Sequence, residues 1–236
     1  MVSSELEENT RKRLALALDL DDLVAATRMA KRLKPWFGVA KVGLELFAAA
    51  GPEAISAFTD MGYEVFLDLK LHDIPTTVRK ASQVIGSLGV SYLTVHTSGG
   101  VEMLSAAVEG LKAGAEAVDV EPGKVLGVTI LTSDVSAPRE EFELRVGRAV
   151  EAGCGGLVCA VTDLVDASLL APNLMKMVPG IRPVGSAADD QARIGTPSSA
   201  IEQGADVLVI GRAVTAAIEP ELVSAAIHKE ITPLIR

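Results

Sequence analysis

Residues 63–88 read YEVFLDLKLHDIPTTVRKASQVIGSL, and this stretch is the clearest indication of the fold. Its first part, 63–69, is a near-continuous apolar run, which is typical of a strand covered on both faces. From 76 to 88, apolar residues recur at helical spacing, which predicts a helix directly after the strand. The stretch is therefore one strand-helix unit of a parallel α/β protein.

Seven more apolar runs along the chain have the same character. The eight predicted strands are 14–20, 37–42, 63–69, 92–95, 124–131, 156–161, 177–181 and 207–210. Segments with helical spacing lie between them, the clearest being 23–33, 52–61, 76–88, 101–113 and 139–152. Eight such units predict a (β/α)8 TIM barrel, with a doubly wound open sheet as the alternative.

Polar residues follow the apolar runs, which favours the barrel. They are Asp19, Lys41, Asp68, Lys70, His96, Thr132, Arg182, Gly211 and Arg212. In a barrel the carboxyl ends of all strands meet at one mouth, where these groups could touch one small ligand. In an open sheet they would be spread along an edge.

The length and composition predict a single domain. The chain has 236 residues, of which 49% are hydrophobic and 22% charged, and no linker-like segment divides it. We therefore expect one barrel domain over 1–236, in which 1–13 is a solvated lead-in. The start lacks the apolar core of a signal peptide and no apolar stretch reaches the length of a membrane span, so we expect a cytoplasmic protein without a membrane partner.

The charge and the aromatic content argue against nucleic-acid binding. Lys and Arg number 22 against 31 Asp and Glu, a net charge of −9, and the chain has one Trp, two Tyr and five Phe. A phosphate backbone is repelled by such a surface, and stacking of bases needs several exposed rings. The two cysteines, Cys154 and Cys159, are expected to be buried free thiols, which suits a reducing compartment.

The strongest chemical signal is the group of charges that follows the third strand. Asp68 and Lys70 are two residues apart, so on a strand they share a face, and Asp73 follows closely. With Lys41 and Asp19 on the neighbouring strands, the charges alternate in sign. Such an array fixes an electric field suited to catalysis, whereas the competing interpretation is a structural ion pair.

The last strand is followed by Gly211 and Arg212 and then by a helical segment, a pattern that suits a phosphate. Glycine lets an anion approach the backbone, the helix start offers N–H groups, and arginine binds phosphate with two hydrogen bonds. Arg182 and Gln191 lie after the seventh strand, which in barrels often shares the phosphate site.

The histidines and carboxylates do not predict a metal site. His72 is expected to point away from Asp68 and Lys70, and His96 to support the mouth by hydrogen bonding. Three scattered histidines and the absence of carboxylates at ligand spacing indicate no metal. We also expect no cofactor.

These motifs together resemble the orotidine 5′-phosphate decarboxylase family, over nearly the whole chain. The segments that carry the resemblance are ALD at 17–19, KVG at 41–43, DLKLHDIPTT at 68–77, VHTSGG at 95–100, LTS at 131–133, PGIR at 179–182, DQAR at 190–193 and IGR at 210–212. The D-x-K-x-x-D-I-P motif is highly specific to this family. Residues 1–13 and 134–141 carry no part of this resemblance.

The resemblance implies cofactor-independent decarboxylation of orotidine 5′-phosphate to UMP, in pyrimidine nucleotide synthesis. Lys70 would protonate C6 of the pyrimidine, with Asp68 beside the substrate carboxylate. Lys41 and Asp19 would hold the ribose hydroxyls, and Thr132 would touch the pyrimidine.

The resemblance also implies a phosphate clamp and a homodimer. Gly211 and Arg212 would anchor the phosphate, and Arg182 and Gln191 would belong to a loop that closes on it. Asp73 and Thr77 would reach into the neighbouring subunit's site, so that the active sites are shared.

Two other functions remain possible from the sequence. A magnesium-dependent sugar-phosphate decarboxylase would share the D-x-K-x-x-D motif, but it usually carries an acidic metal ligand where Lys41 stands. A non-catalytic nucleotide sensor would need the anion site but not the Asp/Lys/Asp array.

Overall fold

Eight parallel strands close into a barrel in chain order, with β8 pairing with β1. The computed structural model describes residues 2–134, 137–183 and 195–235. The strands are β1 (Leu14–Ala17), β2 (Val39–Gly43), β3 (Glu64–Leu71), β4 (Tyr92–His96), β5 (Lys124–Val128), β6 (Gly156–Val158), β7 (Met175–Val178) and β8 (Val207–Ile210). The predicted (β/α)8 barrel is confirmed, and closure rules out the open sheet.

Helices surround the barrel and connect its strands. They are α1 (Val2–Lys12), α2 (Leu23–Leu33), α3 (Leu44–Ala50), α4 (Pro52–Asp60), α5 (Pro75–Ser87), α6 (Val101–Glu116), α7 (Arg139–Glu151), α8 (Leu164–Leu170), α9 (Pro197–Glu202), α10 (Arg212–Thr215) and α11 (Pro220–Ile231). All five helices predicted from spacing are present. None of the described helices is long and apolar enough to cross a membrane.

The chain start differs from the solvated lead-in that we expected, because α1 is a helix that contacts the barrel. The Thr10 side chain is fully buried and donates a hydrogen bond to the carbonyl of Leu6. The carbonyl of Arg11 accepts a 2.8 Å hydrogen bond from the backbone N–H of Gly38, just before β2. The contact between Arg11 and Gly38 joins residues distant in sequence, so the local pattern did not reveal it.

The apolar strands are buried because their two faces pack against different partners. In β1, Ala15 and Ala17 point into the barrel, while Leu14 and Leu16 pack in the layer between the strands and the helices. Successive side chains point to opposite faces of a strand, so a strand enclosed on both sides carries apolar residues at odd and even positions alike.

Strand β3 is irregular at its carboxyl end, where the charged residues lie. Its pairing with β4 advances from Leu67 opposite Leu93 to Leu71 opposite Val95, so β3 contains two more residues than β4 between these pairs. Lys70, within this bulge, has a left-handed backbone with φ of 50°. A bulge redirects side chains next to a barrel rim, and here it sets the direction of Lys70.

Candidate active site

A cavity of about 210 Å³ opens at the carboxyl ends of the strands. Predicted site residues from both halves of the chain line it. They are Asp19, Lys41, Asp68, Lys70, Thr132, Arg182, Gly211 and Arg212. The barrel therefore brings together side chains that are up to 193 positions apart in the sequence (212 − 19).

The deeper lining of the cavity is apolar. Phe66, Val128, Val158 and Val209 come from four different strands and point inward beneath the charged residues. Such a floor excludes water from one side of a bound ligand and strengthens the electrostatic interactions above it.

Four charged side chains of alternating sign form a continuous line along one wall of the cavity. The Nζ atom of Lys41 lies 2.7 Å from Asp19 Oδ1 and 3.7 Å from Asp68 Oδ2. The Nζ atom of Lys70 lies 2.8 Å from Asp68 Oδ1 and 2.9 Å from Asp68 Oδ2. Each ammonium thus neutralises a neighbouring carboxylate, which allows all four to be enclosed.

The depth of these four groups decreases from the centre of the line outward. The side chains of Lys41 and Asp68 are only 10% and 13% exposed, whereas those of Lys70 and Asp19 are 31% and 55% exposed. Gly43 makes room for the ion pair of Asp19 and Lys41, since a Cβ atom there would lie 2.8 Å from Asp19 Oδ1 and 3.1 Å from Lys41 Nζ.

The electrostatic surroundings keep Asp68 ionised. Burial alone raises the pKa of this carboxyl group, but the charges of Lys41 and Lys70 and the hydrogen bonds from Lys70 and Thr94 outweigh burial. The pKa of Asp68 therefore lies below its ordinary value. A negative charge is fixed next to the Lys70 ammonium before any ligand arrives.

The predicted phosphate residues Arg182, Gly211 and Arg212 line the mouth where β7 and β8 end, and β8 pairs with β1. Gly211 precedes α10, which begins at Arg212, and the first N–H groups of a helix have no partner within that helix. Arg182 follows β7 and is buried, with 6% of the residue exposed. Its backbone N–H donates a 2.9 Å hydrogen bond to the carbonyl of Gly195. Gln191 lies outside the described residues.

Asp73 and Thr77 are not part of the cavity lining of this chain. Both are exposed, Asp73 in the loop after β3 and Thr77 in the first turn of α5. Asp73 Oδ1 accepts a 2.7 Å hydrogen bond from the backbone N–H of Ile74. Among the ion pairs of the described residues, none joins Asp73 to Lys70. The array within one chain is therefore Asp19, Lys41, Asp68 and Lys70, without Asp73.

The two histidines near the mouth contact each other. The rings of His72 and His96 lie 5.6 Å apart between centroids, and His72 is exposed. Burial and the nearby charges of His72 and Lys70 lower the pKa of His96. A neutral His96 is consistent with a supporting position beside Lys70.

Both cysteines are buried thiols and they form no disulfide with each other, as predicted. Burial raises the pKa of the Cys154 thiol to about 12. Cys159 follows β6 and lines the cavity, a position that the sequence analysis did not anticipate.

Sequence reasoning also missed Thr94, which touches two of the charged residues. Its Oγ1 donates a 3.0 Å hydrogen bond to Asp68 Oδ1 and accepts a 2.8 Å hydrogen bond from the backbone N–H of Lys70. The available signal was the alternation of Tyr92, Thr94 and His96 along one strand, which places Thr94 on the inner face of the barrel.

Within residues 2–134, 137–183 and 195–235, no three His, Cys, Asp or Glu side chains are placed to hold a metal ion. The Lys41 ammonium lies between the carboxylates of Asp19 and Asp68 and repels a cation at that point.

The fold and the site define a class: a (β/α)8 barrel with alternating carboxylates and ammonium groups along one wall of its mouth. Comparison with known proteins narrows this class. The model of the orotidine 5′-phosphate decarboxylase / HUMPS family matches residues 12–227. The chain belongs to this family.

Individual relatives cover most of the chain. The orotidine 5′-phosphate decarboxylase of Anaeromyxobacter sp. (strain K) is 42% identical over 227 residues, which is 92% of this chain and 96% of that protein. The Moorella thermoacetica protein of the same name is 40% identical over 235 residues, which is 94% of this chain and 93% of that protein. The crystal structure of the Lactobacillus acidophilus orotidine 5′-phosphate decarboxylase has a TM-score of 0.79 at 32% identity, covering 93% of this chain and 98% of that one.

Proposed function

We propose that this protein is a carbon-carbon lyase that decarboxylates orotidine 5′-phosphate to UMP in pyrimidine biosynthesis, without a cofactor. The observation that carries the proposal is the line of Asp19, Lys41, Asp68 and Lys70 inside a cavity that Gly211 and Arg212 also line. Family membership and relatives of about 40% identity over most of the chain support the same reaction.

The reaction breaks the bond between C6 and the carboxylate carbon, and the electron pair of that bond stays on C6. Carbon dioxide leaves and the Lys70 ammonium transfers a proton to C6, after which water reprotonates the lysine. The fixed ammonium stabilises the developing carbanion and then protonates it. Its contact with Asp68 holds it in place beforehand.

Asp68 has a second role that follows from its charge. A carboxylate about 4 Å from the substrate carboxylate is repelled by roughly 4 kcal/mol at an effective dielectric constant of about 20. The repulsion disappears when neutral carbon dioxide departs. Stabilisation by Lys70 acts as charge develops on C6, and an interaction that is stronger in the transition state than in the ground state accelerates the chemical step.

The remaining site residues bind the parts of the substrate that do not react. Lys41 and Asp19 hydrogen-bond the ribose hydroxyls, and Thr132 contacts the pyrimidine. Gly211 and Arg212 bind the phosphate, and Arg182 and Gln191 close on it. Binding energy from the phosphate is thereby used to assemble the site around the reacting carbon.

The functional unit is a homodimer with shared active sites. Asp73 and Thr77 lie outside their own cavity, as residues that serve a neighbouring subunit would. Ile74 between them is 66% exposed, and an isoleucine at that level of exposure gains by burial in an interface. We place this dimer in the cytoplasm, which suits the two buried free thiols, and assign 1–236 to one domain.

Purified protein incubated with orotidine 5′-phosphate and excess EDTA tests this function. We expect the absorbance of the substrate to fall as UMP forms, at a rate that EDTA does not change. Lys70→Ala protein purified in the same way is the control for decarboxylase carried over from the expression host. Turnover that requires added magnesium would favour the sugar-phosphate decarboxylase, and binding of UMP without any turnover would favour the nucleotide sensor.

A further inference from the structure

The backbone N–H of Lys70 is hydrogen-bonded by a side chain at the place where the β3–β4 ladder is interrupted. The ladder pairs Leu67 with Leu93 and resumes at Leu71 and Val95. Between these pairs the Lys70 N–H donates to Thr94 Oγ1 at 2.8 Å. Thr94 thus replaces the partner that a regular strand would have provided.

The same hydroxyl reaches the carboxylate of Asp68. Thr94 is fully buried, and its Oγ1 donates to Asp68 Oδ1 at 3.0 Å. A hydroxyl has one hydrogen to donate and two lone pairs that accept. Accepting from Lys70 N–H and donating to Asp68 therefore fixes the direction of the single O–H bond.

We propose that Thr94 is a positioning residue for decarboxylation, because one hydroxyl fixes the backbone of Lys70 relative to the carboxylate of Asp68. This inference rests on the proposed function. Thr94 lies outside the cavity lining and acts through the two residues that it contacts. The side chains of Asp68 and Lys70 meet directly, so the Thr94 contact closes a ring of hydrogen bonds around them.

Two features of the site make this contact consequential. Lys70 has φ of 50°, a left-handed conformation that a lysine holds only when its surroundings enforce it. The Asp68 carboxylate is shared by two ammonium groups, so a rotation toward Lys41 would weaken its contact with Lys70. Small displacements of a proton donor slow a reaction strongly, even when the ligand still binds.

Thr94→Val and Thr94→Ser test the proposal. Valine keeps the shape of threonine but removes the hydroxyl, and serine keeps the hydroxyl. Thr10→Val is the matched control, since Thr10 is also fully buried with a hydrogen-bonded hydroxyl, in α1 at the other end of the barrel. The readouts are kcat and KM for orotidine 5′-phosphate, the affinity for UMP, and the pH profile of kcat/KM.

We expect Thr94→Val to lower kcat about tenfold, the loss typical of one hydrogen bond to a charged group, with UMP affinity changed less than about threefold. The acid limb of the profile shifts to higher pH, because Asp68 loses a hydrogen bond that favours its ionised form while Lys41, Lys70 and His96 stay beside it. Thr94→Ser restores most of kcat, and Thr10→Val changes neither kcat nor the profile.

Several results would overturn the proposal. An unchanged kcat in Thr94→Val, equal losses in kcat and UMP affinity, or a serine variant as slow as the valine variant would each show that the hydroxyl does not position the pair. If Thr94→Val does not fold, Thr94→Cys, which keeps only a weak donor, is judged by the same criteria. A wild-type protein without turnover would instead refute the proposed function, so the two failures are distinguishable.

Discussion

The ammonium of Lys70 contacts both oxygens of the Asp68 carboxylate, at 2.8 and 2.9 Å. The two residues are separated by one position in β3, and the bulge in the pairing of β3 with β4 directs the Lys70 side chain toward this carboxylate. A proton donor held in this way is oriented before substrate binds. That orientation reduces the reorganisation required during the reaction.

Removal of the Lys70 ammonium should abolish turnover while leaving binding of the product intact. We expect Lys70→Ala to lower kcat by a factor on the order of 10⁴ or more, because it removes the proton donor and the charge that stabilises the carbanion. Absorbance assays measure kcat, and calorimetric titration measures UMP affinity. Lys112→Ala, which removes an exposed lysine from α6, should have no effect. Appreciable decarboxylation by Lys70→Ala would contradict the role assigned to Lys70.

Arg212→Ala should weaken phosphate-bearing ligands selectively. We expect UMP affinity to fall on the order of 100-fold, as for loss of one partner of a hydrogen-bonded charge pair, and uridine affinity to change less than about threefold. Calorimetric titration with both ligands provides the comparison. Arg28→Ala on the exposed face of α2 is the control. Equal losses for UMP and uridine would remove Arg212 from the phosphate site.

Mixed dimers of Lys70→Ala and Asp73→Ala protomers should regain activity if the sites are shared. One site then carries both substitutions and the other carries neither, so we expect about half of the wild-type activity per dimer. Differently tagged protomers allow the heterodimer to be isolated and its composition verified. A dimer of two Lys70→Ala protomers that carry the two different tags is the control and should stay inactive. Verified mixed dimers without activity would argue against a shared site.

Asp68 should make the stability of the protein depend on acid pH. Its folded-state pKa is lowered, so its ionised form stabilises the fold fully above the unfolded pKa of about 3.9, and this contribution is lost as pH falls through the lower folded pKa. Asp68→Asn removes the carboxylate that Lys70 contacts and leaves the buried Lys41 with Asp19 alone, which should cost about 3 kcal/mol at pH 7.

Urea denaturation of both proteins between pH 7 and pH 3 measures this contribution. The difference in free energy of unfolding between wild type and Asp68→Asn should be constant down to about pH 5 and shrink below about pH 4. Other carboxylates titrate in both proteins and cancel in the difference. A difference that stays constant to pH 3 would show that Asp68 does not have a lowered pKa.

The contact between α5 and α6 should not tolerate a side chain at Gly114. A Cβ atom there would lie 1.9 Å from the carbonyl oxygen of Gln83, so one helix must move. We expect Gly114→Ala to destabilise the protein by about 2 kcal/mol or more. Gly147→Ala in α7 is the matched control, because no atom of the described residues beyond its own stretch of helix lies within 4 Å of its Cβ position, and it should stabilise by about 0.5–1 kcal/mol. Equal unfolding free energies for the two variants would contradict this account.

The sequence by itself determined the barrel and most of its mouth. Apolar runs of strand length recur eight times because each strand is buried on both faces, and this burial leaves a local signature. Charged residues at the strand ends stand out against those runs. For that reason Asp19, Lys41, Asp68, Lys70 and Arg212 could be identified without a structure.

Only the tertiary structure decided how these residues are held. The bulge at Lys70, the hydrogen bonds of Thr94 and the exclusion of Asp73 from its own cavity depend on the register between β3 and β4. The docking of α1 likewise depends on its contact with Gly38. Register and docking are set by packing between distant segments, to within about an ångström, and such distances leave no periodic pattern in the sequence.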